Sequence, residues 1–403
     1  MTQVLISGAS IAGPALAYWL RRYGVDVTVV ERAPALRPGG QGIDIRGAAR
    51  TVIERMGLMA PVRAAHTGTR GVANVDARNR RTARMSAETF GDSGGIVADL
   101  EILRADLSRI LVGATDGVDY LFDDSIVALD QRGDGVDVTF ERAPGRRFDL
   151  VVGADGIFST TRRIAFDPDA WRMIDAGYHR AVFTATTSLR LDGWELMYSM
   201  PAGNGTTGGR NVLLYPAHDE ARAMFHFACD PIDYDRRDVE AQKAIVARTF
   251  AGAGWQVPEL LASMADAPDF YFDRVGKIEM THWYRDRVAL LGDSCFAGSV
   301  GMGTSMALVG AYVLAGELAA AGGDHRVAYP AYQHRMADYV AGNRKPLPGG
   351  VKGFLPATER GIRLRDWSMR AMTKLPGGSR LMGGIDKAVN AIDLPDYPVP
   401  AAR

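Results

Sequence analysis

The first 31 residues constrain this chain more than any other stretch. Residues 4–7 read as a short buried strand and 8–13 as a glycine turn. Residues 14–23 read as a helix, with Ala15, Leu16, Trp19 and Leu20 at helical spacing. Gly24 ends the helix, and residues 25–30 form a second strand closed by Glu31. Strand, tight turn, helix and strand in so short a span make a βαβ unit. The two strands must then lie parallel, and an α/β domain has to be built around them.

The turn reads Gly8-Ala9-Ser10-Ile11-Ala12-Gly13. After a strand and before a helix, this is the setting of a dinucleotide fingerprint. Gly8 permits the tight turn, and Gly13 lets the helix pack close to the strand. The small residues Ser10 and Ala12 keep the backbone open, so that N–H groups at the helix start face a pyrophosphate. Ser10 stands where the pattern has its middle glycine. Glu31 can accept hydrogen bonds from both ribose hydroxyls and repels a 2′-phosphate, which favours FAD or NAD over NADP at this site. Arg32, next in the chain, is grouped with the cofactor contacts.

Two later stretches repeat the strand-then-turn theme. Residues 149–152 read as a buried strand that ends in Gly153-Ala154-Asp155-Gly156. Asp155 thus lies at a strand's carboxyl end, where α/β folds bind ligands; taken alone, the stretch is equally an ordinary Asp-Gly turn. Residues 288–291 read as another buried strand, followed by Gly292-Asp293, and Gly301-Met302-Gly303-Thr304 opens a long apolar helix. A carboxylate at Asp293 can bond flavin ribityl hydroxyls. The helix start aims N–H donors and a positive dipole end at its ligand, which suits the N1–C2=O edge of a reduced, anionic flavin.

Composition narrows the class. The chain has 403 residues, 47% of them apolar, and equal numbers of acidic and basic side chains. That length suggests two or three domains or one with large insertions, and the balance of charge gives no case for nucleic acid. Cys229 and Cys295 are the two cysteines. They read as small core residues in a reducing compartment, the cytoplasm. The seven histidines show no HExxH spacing, so no metal site is expected. The apolar start lacks a preceding Lys or Arg and is broken by Gly8, Ser10, Gly13 and Pro14, unlike a signal peptide. The apolar run over 288–321 is broken by Asp293, glycines and Glu317, so no stable membrane association is expected. The basic stretch 360–370 reads as a solvated helix packed on the domain.

The three glycine-and-aspartate elements, in this order, resemble the para-hydroxybenzoate hydroxylase family of class A flavoprotein monooxygenases. The resemblance covers about residues 2–345. Tetracycline-inactivating flavin monooxygenases and aromatic polyketide hydroxylases are similar in length and layout. The resemblance implies an α/β fold: a Rossmann-like FAD-binding domain, an inserted and mostly antiparallel substrate sheet, and a helical C-terminal segment. The expected division is 1–70, 101–177 and 281–345 for the FAD domain, 71–100 and 178–280 for the sheet domain, and 346–403 for the helical segment.

The resemblance also implies that NADPH or NADH reduces FAD and that the reduced flavin traps O₂ as a C4a-hydroperoxide. That species oxygenates an aromatic or polyketide-like molecule. The alternative is an oxidase or dehydrogenase without oxygen insertion. With no second nucleotide fingerprint, the nicotinamide donor is expected to bind transiently. A monomer or homodimer is expected. Arg104 matches the family arginine near the flavin phosphate or ribityl region, and Arg46 sits in the loop placed beside the flavin. Two departures stand out: the 294–300 loop is short, with Val300 where proline is expected, and Ser305 replaces an asparagine. Substrate contacts are expected from the sheet, at Tyr198, Leu213, Tyr215, Met224 and His226. Met224 and His226 share strand parity, and His226, with Tyr215 beside it, is the candidate general base.

Overall fold

In a computed structural model, which describes residues 2–87, 98, 100–345, 349–374 and 387–398, the N-terminal strands lie at the middle of a six-stranded sheet. Its order is Tyr284–Arg285, Val288–Leu290, Leu150–Gly153, Gln3–Ser7, Asp26–Glu31 and Asp119–Phe122. All neighbours run parallel except the first pair. The three strands that feed the glycine motifs are therefore adjacent, and their carboxyl ends open on one edge. Strands buried on both faces explain the unbroken apolar runs Leu150–Gly153 and Val288–Leu290. The helix Ala12–Arg22 packs against Gly303–Ala320, which is buried along most of its length. That second helix is long and apolar enough to cross a membrane by composition, but 78% of it is buried inside the protein, as expected of a core helix.

A second sheet of seven strands has the order Tyr271–Met280, Trp171–Ala185, Glu220–Ala228, Arg210–Ala217, Trp194–Met200, Gly71–Val75 and Arg81–Ser86. Its pairings are antiparallel except that of Trp194–Met200 with Gly71–Val75. Its long strand begins at Trp171, ahead of the expected 178, because Trp171 to Asp175 pair with Met280 to Gly276. One face carries Phe183, Phe225, Phe227, Val212 and Leu214, which pack under the helices Val239–Thr249 and Val257–Asp266. The opposite face carries Arg180, His226 and Asn211 in one cross-strand row, and Val182, Met224, Leu213 and Met197 in the next.

That second face meets the FAD-motif half of the molecule and the C-terminal segment. Gly42–Asp44 and Glu101–Leu103 form a small two-stranded sheet, and the Gly42 N–H donates to the Tyr215 hydroxyl at 3.3 Å. The helix Glu359–Lys374 lies over the far strands. Asn74 donates to Asp366 at 2.7 Å, Thr82 donates to the same carboxylate, and Met369 joins Val72, Ala83 and Met85 in a small core. The C-terminal segment is helical over Gly350–Phe354 and Glu359–Lys374, but residues 391–398 are not. They run extended across the central helix, where Tyr312 donates to the Pro395 carbonyl at 2.6 Å and Tyr397 to Glu317 at 2.5 Å. Two prolines and these side-chain anchors take the place of helical hydrogen bonds there.

Asp366→Ala should leave the buried Asn74 amide short of its partner, at a cost of about 1–3 kcal/mol. Limited proteolysis within 349–374 should then quicken by roughly tenfold or more, while the 2–345 body stays resistant.

Candidate active site

The three motifs meet. Gly8 has φ +110°, and a Cβ there would lie 2.5 Å from the Ala154 carbonyl oxygen, so the first turn is pressed directly on the second. Gly292 has φ +68°, and its Cβ would meet that of Ala12 at 3.2 Å, joining the third motif to the first. Ser294 joins the third to the second: it donates to Asp155 at 3.2 Å and accepts from the Gly156 N–H at 3.0 Å. Gly13 is required because any side chain would strike the Gly8 carbonyl.

Helix capping separates the three corners by role. Among the described residues, no side chain caps Ala12–Arg22 or Gly303–Ala320 at its start. Their first-turn N–H groups remain to be satisfied by a ligand. Thr160–Ala165, after the second motif, is capped by Ser159. The Asp155 carboxylate is spent there as well, accepting from Ser159 Oγ, Thr161 N and Thr161 Oγ1. Asp155 is therefore corrected from ligand contact to brace. Arg162 completes that brace: 1% exposed, it donates to the Ser294 and Ile157 carbonyls at 2.6 Å and lies over the Trp171 ring. Burial lowers its pKa to about 10, which still leaves it charged at neutral pH.

The expected cofactor contacts cluster along this edge. Glu31 accepts from the Ala9 N–H at 2.9 Å and the Ala33 N–H at 3.0 Å, holding the glycine turn open. Arg32 is exposed beside it. Arg104 donates to Ser10 Oγ at 3.1 Å, so the residue that replaces the middle glycine holds a guanidinium over the turn. Arg46 pairs with Asp44 at 2.7 Å, and its N–H donates to Ser305 Oγ at 3.0 Å. Ser305, the second departure, thus ties the 42–46 segment to the start of the central helix. Gly301 has φ +73°, and a Cβ there would lie 3.5 Å from Asp44. Met302 is buried below it as the residue before the helix, and Gly303 and Thr304 open the first turn.

Asp293 supplies the test of whether a ligand belongs here. Its side chain is exposed, yet its surroundings desolvate it enough to raise its pKa. Its chain neighbours Gly292, Ser294 and Cys295 are buried, so the carboxylate stands out from a packed corner at the strand's carboxyl end. No described residue hydrogen-bonds its carboxylate, and Gly303 lies beside it, with a Cβ position 3.7 Å from Oδ1. Uncapped helix starts, close-packed glycines and this waiting acceptor fit a dinucleotide whose polyol chain carries hydroxyls, as FAD does. Among the described residues there is no cluster of His, Cys, Asp and Glu that could hold a metal.

The sheet side sorts the expected substrate contacts. Met224 and Leu213 are half-buried on the face toward this edge. Tyr198 is not: it is paired with Val212, points to the opposite face and packs on Trp255 at 5.6 Å, so it is withdrawn as a substrate contact. Tyr215 is on the right face but 2% exposed, against Gly42, and burial raises its pKa, so it keeps its proton. His226 Nδ1 lies 2.8 Å from Asn211 Oδ1, which leaves Nε2 as the acceptor. Burial, and then the Arg180 charge, pushes its pKa down to about 3. In this state it accepts a hydrogen bond but is a weak base. Phe354, from the C-terminal segment, faces its ring at 5.0 Å. Phe354, Asn211 and Arg180 are site residues that sequence patterns did not single out. Asn211 shares strand parity with Leu213 and Tyr215, which was an available signal for it.

Among known proteins, residues 1–332 match the FAD binding domain family. The chain is 46% identical over 363 residues to an uncharacterized protein of Mycobacterium tuberculosis, covering 88% of this chain and 95% of that one. It is 35% identical over 401 residues to a flavin-dependent monooxygenase of an unknown prokaryotic organism, covering 98% and 99%. The crystal structure of tetracycline destructase Tet(51) superposes with a TM-score of 0.83 at 31% identity, covering 98% and 100%.

Two outcomes are expected. Asp293→Ala should weaken FAD binding by roughly tenfold or more, read by quenching of flavin fluorescence, because a charge-assisted hydrogen bond worth about 1.5–3 kcal/mol is lost. The His226 pKa is lower in the folded state than in the unfolded chain, so stability is intact above about 6.5 and is lost as pH falls toward about 3. Between about pH 6.5 and about pH 4.5 the unmutated protein should lose roughly 2–3 kcal/mol more stability than His226→Gln, as read by urea unfolding.

Proposed function

The chain belongs to the FAD binding domain family of flavin-dependent monooxygenases, and from that premise we propose that it oxygenates an aromatic or polyketide-like small molecule with O₂ and electrons from NADPH or NADH. The observation that carries the reading is the meeting of three glycine corners around an accessible, desolvated Asp293, opposite a sheet face with half-buried Met224 and Leu213. Bound FAD supplies the electron relay and the activation of oxygen.

The residues of this chain do the rest. The Gly8–Gly13 turn, with Arg104 across it, would hold the pyrophosphate, Glu31 the adenosine ribose and Arg32 the rim. Asp293 would take the ribityl hydroxyls. Gly301, Met302, Gly303 and Thr304 would present the helix start to the pyrimidine edge, with Arg46 beside it. Met224 and Leu213 would position the substrate by apolar contact. The neutral His226 imidazole would accept a hydrogen bond from a substrate hydroxyl and orient it. Phe354, Met369 and the helix Glu359–Lys374 would keep water from the sheet face, which matters wherever a reactive oxygen species must outlast solvent attack.

Oxidation without oxygen insertion is the reading the named relatives do not favour. The two free cysteines are buried, and burial raises both thiol pKa values, that of Cys229 to about 11, so neither is a ready nucleophile. We infer no stable partner beyond the substrate and a monomeric or homodimeric protein.

The test is to supply flavin-loaded protein with NADPH or NADH, isotopically labelled O₂ and a panel of phenols and polyketides. Substrate-stimulated nicotinamide oxidation with label in the organic product is expected. Dehydrogenated product free of label would replace this reading with the oxidase one.

A further inference from the structure

We propose that the outward face of the helix Glu359–Lys374 docks reversibly on an anionic lipid surface, with Trp367 and Leu364 entering the interface and Arg360, Arg363 and Arg370 meeting lipid phosphates. The docking does not rest on the monooxygenase reading.

The helix has two faces that the sequence keeps apart. Arg365, Asp366, Met369 and Met372 recur at helical spacing and hold it to the protein. Arg365 donates to Ser199 Oγ at 3.0 Å, and Asp366 accepts from Asn74 at 2.7 Å. Met369 is buried beside Val72, Ala83 and Met85, and Met372 packs on the same cluster. Arg360, Arg363, Leu364, Trp367 and Arg370 are spaced three and four apart, so they form one stripe on the opposite side. All of them are exposed. Leu364 is 64% exposed and Trp367 60%, one turn apart. The other large hydrophobics that stand out from the described surface are single valines in separate elements. A leucine and a tryptophan side by side in water are therefore particular to this helix among the described residues.

The charge around that pair is of one sign. No carboxylate lies within the stripe. Glu359, at its edge, pairs with Arg363 at 3.2 Å. The Arg360 and Arg370 side chains have no hydrogen bond or ion pair with the described residues. The helix packs on the edge strand Arg81–Ser86, which adds an exposed Arg84. The chain as a whole is neutral, so this positive character is local.

Charge and area together choose the occupant. A second copy related by a two-fold axis would set these arginines against the same arginines, which repels. A stable protein partner needs about 1,200–2,000 Å² of buried surface, more than one tryptophan and one leucine on a single stripe provide. A lipid surface needs neither a complementary shape nor a large area. It accepts one helical stripe laid flat, takes tryptophan at headgroup depth, and offers phosphates to guanidinium groups at many spacings. Each arginine near an anionic surface strengthens binding about fivefold. Three arginines with two shallow anchors thus give a contact that forms and releases. The inner side of the same helix packs on the cluster that Leu213 joins, so a docked bilayer is one helix away from the sheet face. An apolar substrate dissolved in lipid would be concentrated beside the wall that receives it.

The experiment uses the full flavin-loaded chain with vesicles of phosphatidylcholine, alone or mixed with phosphatidylglycerol. Binding is read by co-sedimentation and by tryptophan emission. The unmutated protein should favour the mixed vesicles by roughly tenfold or more at low salt, and the preference should fade as salt is raised. Arg360→Gln combined with Arg370→Gln should weaken that binding by roughly tenfold or more. Leu364→Ser combined with Trp367→Ser should weaken it by roughly tenfold. In both, FAD affinity should stay within roughly twofold, since the changed side chains lie on the surface. Trp367→Phe should keep most of the binding but lose the blue shift that lipid causes in the unmutated protein. Equal binding to both kinds of vesicle, binding to neither, or binding untouched by the paired substitutions overturns the proposal. So does self-association without lipid that these substitutions abolish, which makes the face an interface between copies. Capture by polyglutamate as tight as by the mixed vesicles, with Trp367 emission unmoved, also overturns it and assigns the face to an acidic polypeptide.

Discussion

Everything in this molecule that bears on its chemistry depends on one close contact: the Gly8 backbone pressed against the carbonyl of Ala154. It is possible because Gln3–Ser7 and Leu150–Gly153 are hydrogen-bonded neighbours that end at the same level, with Ser7 opposite Gly153. Val288–Leu290 joins on the far side in the same parallel sense. Three chain segments separated by more than a hundred residues are thus brought to one edge by backbone pairing alone. The side chains then divide the work. Asp155 and Arg162 are consumed in fixing Ser294, and Asp293 next to it has no hydrogen-bond partner among the described residues. A brace that spends its own polar groups on the backbone is what allows a neighbouring carboxylate to face outward in a fixed position.

The electrostatics of the cleft arise from enclosure more than from net charge. The chain as a whole is neutral, yet the groups around the cavity depart from their ordinary behaviour because water is scarce. Tyr215 and Asp293 move up, and His226 moves down to about 3. All three shifts are led by burial, which penalises whichever form is charged. Arg180 is the exception. Burial lowers its pKa, but Asp273 beside it more than offsets that, and its charge acts on both His226 and Asp293. Burial first, and that permanent cation second, keep the His226 imidazole neutral.

The architecture was legible where local pattern suffices. Buried apolar runs before Gly8, Gly153 and Gly292 identify strands, and small residues with helical spacing identify Ala12–Arg22 and Gly303–Ala320. What could not be read is register between strands joined by long turns. Within Glu220–Ala228 the parity of Met224 and His226 is local and holds. Tyr198 lies in a different strand, and only the pairing of Met200 with Arg210, across the 201–209 turn, decides that it shares a face with Val212 rather than with Leu213. Phe354 and Asp366 escaped notice for a related reason: they reach the sheet from a C-terminal segment whose return path no periodicity announces. Asp155 looked like Asp293 in sequence, each closing a strand beside a glycine. The two differ in the residues just downstream: Ser159 and Thr161 are placed to absorb the first carboxylate, and among the described residues no such pair of hydroxyls meets the second.

The two departures from the family pattern are informative for the same reason. A serine in place of the fingerprint's middle glycine looks like a loss of space, but Ser10 Oγ is the acceptor that steadies Arg104 over the turn. The serine in place of an asparagine does a comparable job at the other end of the cleft. Ser305 Oγ accepts from the Arg46 N–H and donates to the Asp44 carbonyl at 3.3 Å, so one hydroxyl joins the 42–46 strand to the central helix. Both replacements exchange a backbone or amide contact for a hydroxyl, which can donate and accept at once. Each therefore fastens a basic side chain's segment to a glycine corner without adding bulk where a ligand must approach. The short 294–300 loop is tied in a similar way, with the Ile278 N–H donating to the Ala297 carbonyl at 3.2 Å. That contact makes the loop an extension of the strand Tyr271–Met280, the same strand that supplies Asp273. The loop that departs from the family is thus joined by backbone to the strand whose Asp273 pairs with Arg180.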